Sequence, residues 1–458
     1  MTQATEKRRV RFAPSPTGAL HIGGARTALY NWLATEGWGG EMLLRIEDTD
    51  RERSTPENVE QIIDALEWLE LGWHGEPVSQ WERRECHAIA VERLIALGRA
   101  YRDPSSAADV KAWKEAHPNR GYRGAENDEP GAATRLRVPE DGTTTVLDLL
   151  RGEVAFPNNS QDDFVIARGD GTPLYNLAVA VDDAELGITD VIRGDDHLSN
   201  TPKQALVLEA LGFEPPRYVH LPLLHGPDGK KLSKRHGAAS VQELRNAGYL
   251  PAAVRNYLAL LGWGTDDDTT ILSTAELVER FDVSRIGRAA AIFDEKKLRW
   301  LNGRFMRELP LAEYADAVAR QLELAGVEIP ADRTQFTEGC RIAQDKAQTL
   351  AEVWPLIRFA FTEPVDDEKA RQKFLSPDSL AHLRVANEAM AALPEWTGET
   401  LEERLEKVIA ERGIKAGALY QPIRVAITGT TVSPGIFDSL VLLGRDASLK
   451  RIEAALQS

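Results

Sequence analysis

Cysteine is scarce in this 458-residue chain, with only Cys86 and Cys340, far apart. Two cysteines make neither a disulfide framework nor a four-cysteine metal site, and they fit a reducing compartment. Long apolar runs are missing too. The longest candidates, such as Tyr257 to Trp263, fall well short of the ~20 apolar residues of a membrane span. Lys7, Arg8, Arg9 and Arg11 have no apolar stretch behind them, so a secretory leader is not expected. Positive charge is in deficit: 55 Lys+Arg face 71 Asp+Glu, a formal net charge of −16. That balance opposes indiscriminate binding to nucleic acid or anionic membrane, yet leaves room for a local basic surface. No internal repeat and no low-complexity tract occur. The P-loop spacing GxxxxGK is absent, because Leu224 stands five residues before Gly229-Lys230; a dinucleotide fingerprint after the first strand is absent as well.

What remains is a chain that is 43% apolar, long enough for about three domains at ~150 residues each, and expected to be a cytoplasmic enzyme or binding protein. Val10 to Ala13 reads as a strand, followed by a Pro/Gly-rich loop and a helix that stops at Gly37. Met42 to Ile46 is a second strand, and Thr55-Pro56 opens a helix with Val59, Ile62, Leu66 and Leu69 on one face. This alternation predicts a parallel α/β domain. A helix from about Glu82 to Leu97 ends it at Gly98. Between Tyr101 and Leu174, strand-like Thr134–Val138 and Asp163–Ala167 with DG turns predict a partly antiparallel insertion. The α/β signal resumes with the strand Asp190 to Arg193, a helix opened by the capping box Thr201-Pro202-Lys203-Gln204, and the strand Tyr218 to Leu224. Beyond about residue 240 helices dominate, including a stripe of Leu401, Leu405, Val408 and Ile409 opened by a capping box from Thr400 to Glu403.

Two segments carry chemistry. Pro14-Ser15-Pro16-Thr17-Gly18-Ala19-Leu20-His21-Ile22-Gly23-Gly24 lies between the first strand and its helix. Free N–H groups at a helix start favour phosphate, glycine admits a ligand close to the backbone, and His21 can donate to a phosphate oxygen. A plain turn with a capping histidine is the competing interpretation. Lys230-Lys231-Leu232-Ser233-Lys234-Arg235-His236 is the second segment, a cationic loop suited to a transferring phosphate. Alone, it reads as a solvated basic loop, the commoner meaning of a charge run.

PSPTG-x-x-HIGG followed about 200 residues later by KLSKR resembles the HIGH and KMSKS signatures of the class I aminoacyl-tRNA synthetases, in the spelling of the bacterial-type glutamyl enzymes. Arg11 to Ser15, Arg45 to Arg51, Val191 to His197 and Pro422 to Gly429 match the glutamyl pattern in order and spacing. The resemblance covers essentially the whole chain. It implies a split Rossmann-type parallel-sheet catalytic domain with an α+β insertion, then all-helical stem-contact and anticodon-binding domains. The expected ranges are 1–98 and 186–240 for the two catalytic halves and 99–185 for an inserted acceptor-end-binding module. Residues 241–320 are expected to contact the tRNA stem, and 321–458 to bind the anticodon.

The implied reaction joins L-glutamate to tRNA(Glu) through glutamyl-adenylate. A substrate with two carboxylates and one ammonium needs fixed cations and an anion. Arg11 suits the side-chain carboxylate because its planar fork matches that group. The resemblance assigns Ala13, Ser15, Glu47, Tyr175 and Arg193 to the rest of the glutamate pocket. Taken alone, Glu47 reads as an acidic strand end and Arg193 as a surface ion pair. Val179, four residues after Tyr175, stands where some members carry asparagine and is left out. ATP is expected at Thr17, His21, Gly23, Asp196, His197, Leu223, Leu224, Lys231 and Lys234, with His21, Lys231 and Lys234 catalytic and Mg²⁺ arriving with ATP. Many glutamyl enzymes hold zinc in the insertion; Tyr101 to Asp103 and Tyr122 to Gly124 contain no cysteine, so no structural zinc and no other resident metal is expected. The region Phe281 to Pro310 carries a local charge of +3, expected to meet the inner tRNA stem. A monomer with no membrane partner is expected. The alternatives are a small-molecule nucleotidyltransferase of the HIGH type, which has no use for the helical tail, and an inactive tRNA-binding protein, which has no need of intact motifs.

Overall fold

A computed structural model of the chain describes residues 7–233, 240–265, 267–365 and 367–457. The chain forms two compact units, Met1–Glu243 with Val254–Glu295, and Leu244–Ala253 with Lys296–Ser458.

The first unit opens with β1 (Arg9–Phe12), α1 (Ile22–Trp38), β2 (Glu41–Ile46), α2 (Pro56–Trp68), β3 (Val78–Ser79) and α3 (Arg84–Ala96). β1, β2 and β3 pair in parallel, in that order. α1 runs through Gly37 and stops instead at Gly39, whose φ of 62° is a left-handed conformation that glycine adopts without strain. α2 starts as its sequence suggests: Thr55 accepts from Asn58 N, Pro56 fills the first turn, and Ile62, Ala65 and Leu66 are buried.

The inserted stretch holds β4 (Ala100–Asp103), α4 (Ala107–Ala116), β5 (Ala133–Leu136), β6 (Thr143–Asp148), β7 (Gly152–Pro157) and β8 (Val165–Ala167). β4, β5 and β8 make an antiparallel sheet, as expected of a partly antiparallel insertion. The hairpin β6–β7, which the sequence pattern did not disclose, belongs elsewhere. Its β6 pairs in parallel with β10 (Arg217–Leu221), which follows α5 (Tyr175–Glu185), β9 (Asp190–Gly194) and α6 (Thr201–Leu211). The resulting sheet has the order β7-β6-β10-β9.

Thr189 N donates to Arg9 O at 2.9 Å, holding the start of β9 beside β1. The chain therefore leaves β1 toward β2 and β3, and returns on its other side through β9 and β10. In an open α/β sheet, the crevice at the carboxyl ends of strands where the order reverses is the ligand-binding position.

Two expected features are corrected here. Thr201 caps nothing: Asn200 stands at the cap of α6 without a side-chain bond, and the Thr201 hydroxyl is taken by Arg193. Tyr218 to Leu224 is not one strand either. Pro222 has no N–H for a ladder, so β10 ends at Leu221 and a two-residue strand, β11 (Leu224–His225), pairs in parallel with β12 (Ala291–Ile292).

Among the described residues the second unit is helical. Ala315, Val318 and Leu322 of Leu311–Leu324 pack with Phe336, Cys340, Val353 and Ile357. A further core joins Leu383 and Met390, Leu401 and Leu405, Ile423, Leu440 and Ile452. The helix Gly398–Arg412 starts one turn before the expected box, because Thr397 and Thr400, rather than Thr400 and Glu403, exchange the capping bonds. It ends at Gly413 as its sequence suggests.

Candidate active site

A cavity of about 660 Å³ opens where β1 and β9 end. It gathers Arg11, Ala13, Ser15, Thr17, His21, Gly23, Glu47, Tyr175, Arg193, Asp196, His197, Leu223, Leu224 and Lys231 around one space. These come from segments distant in sequence, and the β1/β9 adjacency is what brings them together. Lys234 lies outside the described residues.

One part of the wall is the start of α1. His21 is its N-cap, and Nδ1 accepts from Gly23 N at 3.0 Å. Capping and ligand contact are therefore compatible: with Nδ1 an acceptor, the proton of the neutral ring sits on Nε2. Desolvation in the wall, then the Lys231 ammonium, push the His21 pKa below its ordinary value, so the ring is neutral at pH 7. Lys231 Nζ stands 3.4 Å from Asp196 Oδ2, an exposed pair of little energetic weight that leaves both groups accessible.

The other part is a buried charge network. Arg11, nearly fully buried, donates from Nε to Asp183 Oδ1 at 3.1 Å. The same oxygen accepts Arg45 Nη1 at 2.6 Å, and Arg45 Nη2 lies 3.4 Å from Glu47 Oε1. Burial raises the Asp183 carboxyl, but the two guanidinium groups hold it below its ordinary range. Glu47 is pushed up by burial, with Arg45 and Arg11 opposing. The terminal nitrogens of Arg11 have no hydrogen-bond partner among the described residues, although the side chain lines the cavity. Glu47 is thus no ordinary strand end.

Arg193 is no surface ion pair. It is buried, and its three nitrogens donate to His220 Nε2, Gln204 Oε1 and Thr201 Oγ1, none of them a carboxylate. A buried cation facing a cavity with only neutral groups accepting its hydrogen bonds is a strong attractor for a carboxylate ligand. Tyr175 OH meets His197 Nδ1 at 3.0 Å. Burial, and after it Arg193, push the His197 pKa down to about 4. Val179 is completely buried and does not line the cavity.

Sequence reasoning missed several residues here. Asp183 anchors Arg11, and the signal was available: Asp182-Asp183 interrupts an otherwise apolar helix face after Leu177–Val181. Arg26 also lines the cavity, its guanidinium buried against the carbonyls of Leu261 and Pro222. Gly194 lines it too, and a Cβ there would stand 2.5 Å from Asp196 Oδ1.

No group of three or more His, Cys, Asp or Glu with metal-site geometry occurs among the described residues. In the insertion, Tyr101 OH donates to Asp163 at 2.6 Å and Arg135 Nε to Asp103 at 2.5 Å.

The catalytic-domain model for class I tRNA synthetases (E and Q) matches residues 7–300, and an anticodon binding domain model matches residues 310–456. The chain belongs to the class I aminoacyl-tRNA synthetases of the glutamyl and glutaminyl group. It is 45% identical to a glutamate–tRNA ligase of Bradyrhizobium sp. strain BTAi1, over 97% of this chain and 98% of that protein. It is 46% identical to glutamate–tRNA ligase 1 of Sphingopyxis alaskensis, over 97% and 94% respectively. A crystal structure of a glutamate tRNA ligase from Elizabethkingia meningosepticum in complex with its amino acid superposes with a TM-score of 0.85, at 30% identity over 99% of this chain and 100% of that one. The anticodon binding domain match falls within the helical second unit.

Proposed function

We infer that this chain is a glutamate–tRNA ligase that activates L-glutamate with ATP and esterifies it to the terminal adenosine of tRNA(Glu). The observation that carries this reading is the cavity itself, where two buried guanidinium groups, Arg11 and Arg193, face the same space as the His21-capped start of α1. One end suits a dicarboxylate and the other a polyphosphate.

The α-carboxylate of glutamate attacks the α-phosphorus of ATP, forming the acyl phosphate bond as pyrophosphate leaves. No side chain need remove a proton, since the nucleophile is already an anion. Catalysis is positioning plus stabilisation of charge developing on the phosphoryl oxygens. Arg11 and Arg193 take the substrate carboxylates, with Arg11 on the side chain; Ala13, Ser15, Glu47 and Tyr175 complete that pocket. Thr17, Gly23, His21 Nε2–H, Lys231 and Lys234 hold the phosphates. Leu223, Leu224, Asp196 and His197 surround the base and ribose. Magnesium arriving with ATP would be carried on its phosphates and would add further neutralisation of the developing charge. The 2′-hydroxyl of the tRNA then attacks the acyl carbon and AMP leaves.

Residues 99–185, inserted between the catalytic halves 1–98 and 186–240, are proposed for the acceptor end, 241–320 for the inner stem and 321–458 for the anticodon, with the hairpin β6–β7 of the insertion joined to the sheet of β9 and β10. A cytoplasmic monomer is the expected state. No helix among the described residues is long and apolar enough to cross a membrane. Structural zinc is not expected, because the insertion carries no cysteine at Tyr101 to Asp103 or Tyr122 to Gly124. Glutamate-dependent ATP–pyrophosphate exchange, run with and without tRNA, tests the reading. Exchange is expected with tRNA present, and its absence under both conditions overturns the assignment.

A further inference from the structure

Arg193 raises a question that its position in the pocket does not answer: what keeps a buried guanidinium aimed when no carboxylate holds it? Each of its nitrogens meets one neutral acceptor. Nη1 donates to Gln204 Oε1 at 2.8 Å, Nη2 to Thr201 Oγ1 at 2.7 Å, and Nε to His220 Nε2 at 3.3 Å; the Thr201 hydroxyl in turn lies 2.9 Å from the same His220 Nε2, so this lone pair meets Arg193 both directly and through Thr201. A guanidinium carries five N–H groups, so one remains on each Nη for a ligand.

His220 can accept at Nε2 only in one tautomer, and its surroundings select it. Nδ1 lies 2.7 Å from Asp148 Oδ2, which also accepts His220 N at 2.9 Å. The other Asp148 oxygen accepts Leu150 N and Arg151 N, both at 2.8 Å. A carboxylate with four such bonds stays ionised and fixes the ring proton on Nδ1. Burial, opposed by Asp148 and reinforced by Arg193, keeps the imidazole below its ordinary pKa and hence neutral. Asp148 and His220 are both buried, so water does not compete for these bonds.

We propose that Asp148 and His220 are a positioning pair for Arg193, presenting a fixed lone pair that orients the guanidinium without neutralising it. A carboxylate set directly against Arg193 would hold it equally well, but would compete with the substrate carboxylate for the same charge. The imidazole separates the two functions. Asp148 is the last residue of β6, and β10, which carries His220, pairs with that strand at Tyr218 and Asp148. The inserted hairpin thus contributes the carboxylate that sets the geometry of the amino-acid pocket. This inference rests on the assignment of Arg193 to the glutamate pocket.

Steady-state tRNA charging by the full chain separates the possibilities. His220→Leu is expected to raise KM for glutamate about tenfold or more while KM for ATP moves less than about twofold, since ground-state orientation of one substrate is lost. His220→Gln, whose Oε1 replaces the Nε2 acceptor, is expected to recover most of the loss. Thr201→Val, close in shape but without the hydroxyl, is expected to give the same selective rise and serves if the Leu variant does not fold. Equal glutamate KM in wild type, His220→Leu and Thr201→Val overturns the proposal, as does a parallel rise in both KM values. Arg193→Lys distinguishes the deeper failure. If it raises the glutamate KM while the His220 and Thr201 variants do not, the positioning pair falls and the pocket stands. If Arg193→Lys leaves that KM unchanged, the pocket assignment falls and takes the pair with it.

Discussion

Arg11 and Arg45 share one oxygen of Asp183, at 3.1 Å and 2.6 Å, and all three side chains are buried. A single carboxylate thus holds two cations, and Arg11 is anchored by its inner nitrogen with its outer ones unspent. Removing one partner of a buried ion pair costs about 3–5 kcal/mol, because the remaining charge has no compensation. Asp183→Asn keeps the shape and leaves Arg11 on a neutral acceptor, while Arg45 keeps only its longer contact with Glu47. Urea unfolding of this variant should show a loss of that order. Its glutamate KM should rise as well, since Arg11 is no longer fixed.

His21 performs two tasks with two nitrogens, and substitution can separate them. Asparagine is also a strong N-cap residue, so His21→Asn should retain α1 within about 0.5 kcal/mol of wild-type stability, whereas His21→Ala should lose about 1 kcal/mol. Neither variant keeps the Nε2–H. Both should lose about 10²-fold or more in the adenylation rate, a magnitude typical of deleting one donor to developing charge. An Asn variant with wild-type pyrophosphate exchange would confine His21 to capping.

The motif residues were legible because their meaning is local. A strand, a Pro/Gly loop and a helix start place His21, Gly23 and Ser15 at a strand end whatever follows. The partners that orient them were not legible, because long-range pairing decides them. In β6 the buried positions are Thr144, Val146 and Asp148, while Leu147 faces out. Apolar alternation is therefore inverted, and the hairpin did not stand out. Asp148 and His220 are 72 positions apart, and only the pairing of β6 with β10 gives them a common purpose. The Thr201 box failed for a related reason: its hydroxyl serves the pocket rather than its own helix.

Thr397 offers a test of that local logic in the helical unit. Its hydroxyl accepts from Thr400 N, and Thr400 Oγ1 accepts from Thr397 N in return. Thr397→Ala should cost about 1 kcal/mol in the denaturation transition of this unit. Glu403→Ala, which deletes the acidic member of the box that the sequence suggests, should change stability by less than about 0.5 kcal/mol, as ordinary surface substitutions do. A larger effect at Glu403 than at Thr397 would contradict the observed start of the helix.

His197 supplies a pH dependence with a definite sign. In the unfolded chain it titrates near ~6.5. In the fold, burial and the neighbouring Arg193 push it down to about 4. The native state therefore favours the neutral ring. That preference is fully present above ~6.5 and is lost as pH falls toward the native pKa, because the unfolded state takes up the proton first. Thermal unfolding should show the Tm of wild type declining from pH 6.5 to 5. His197→Gln, which has no group titrating in this range, should show a shallower decline. The charging rate should be flat from pH 6.5 to 8 as far as His197 is concerned, since its ring is already neutral there. A wild-type inflection near pH 6.5 that disappears in His197→Gln would mean that the ring is not held neutral by its surroundings.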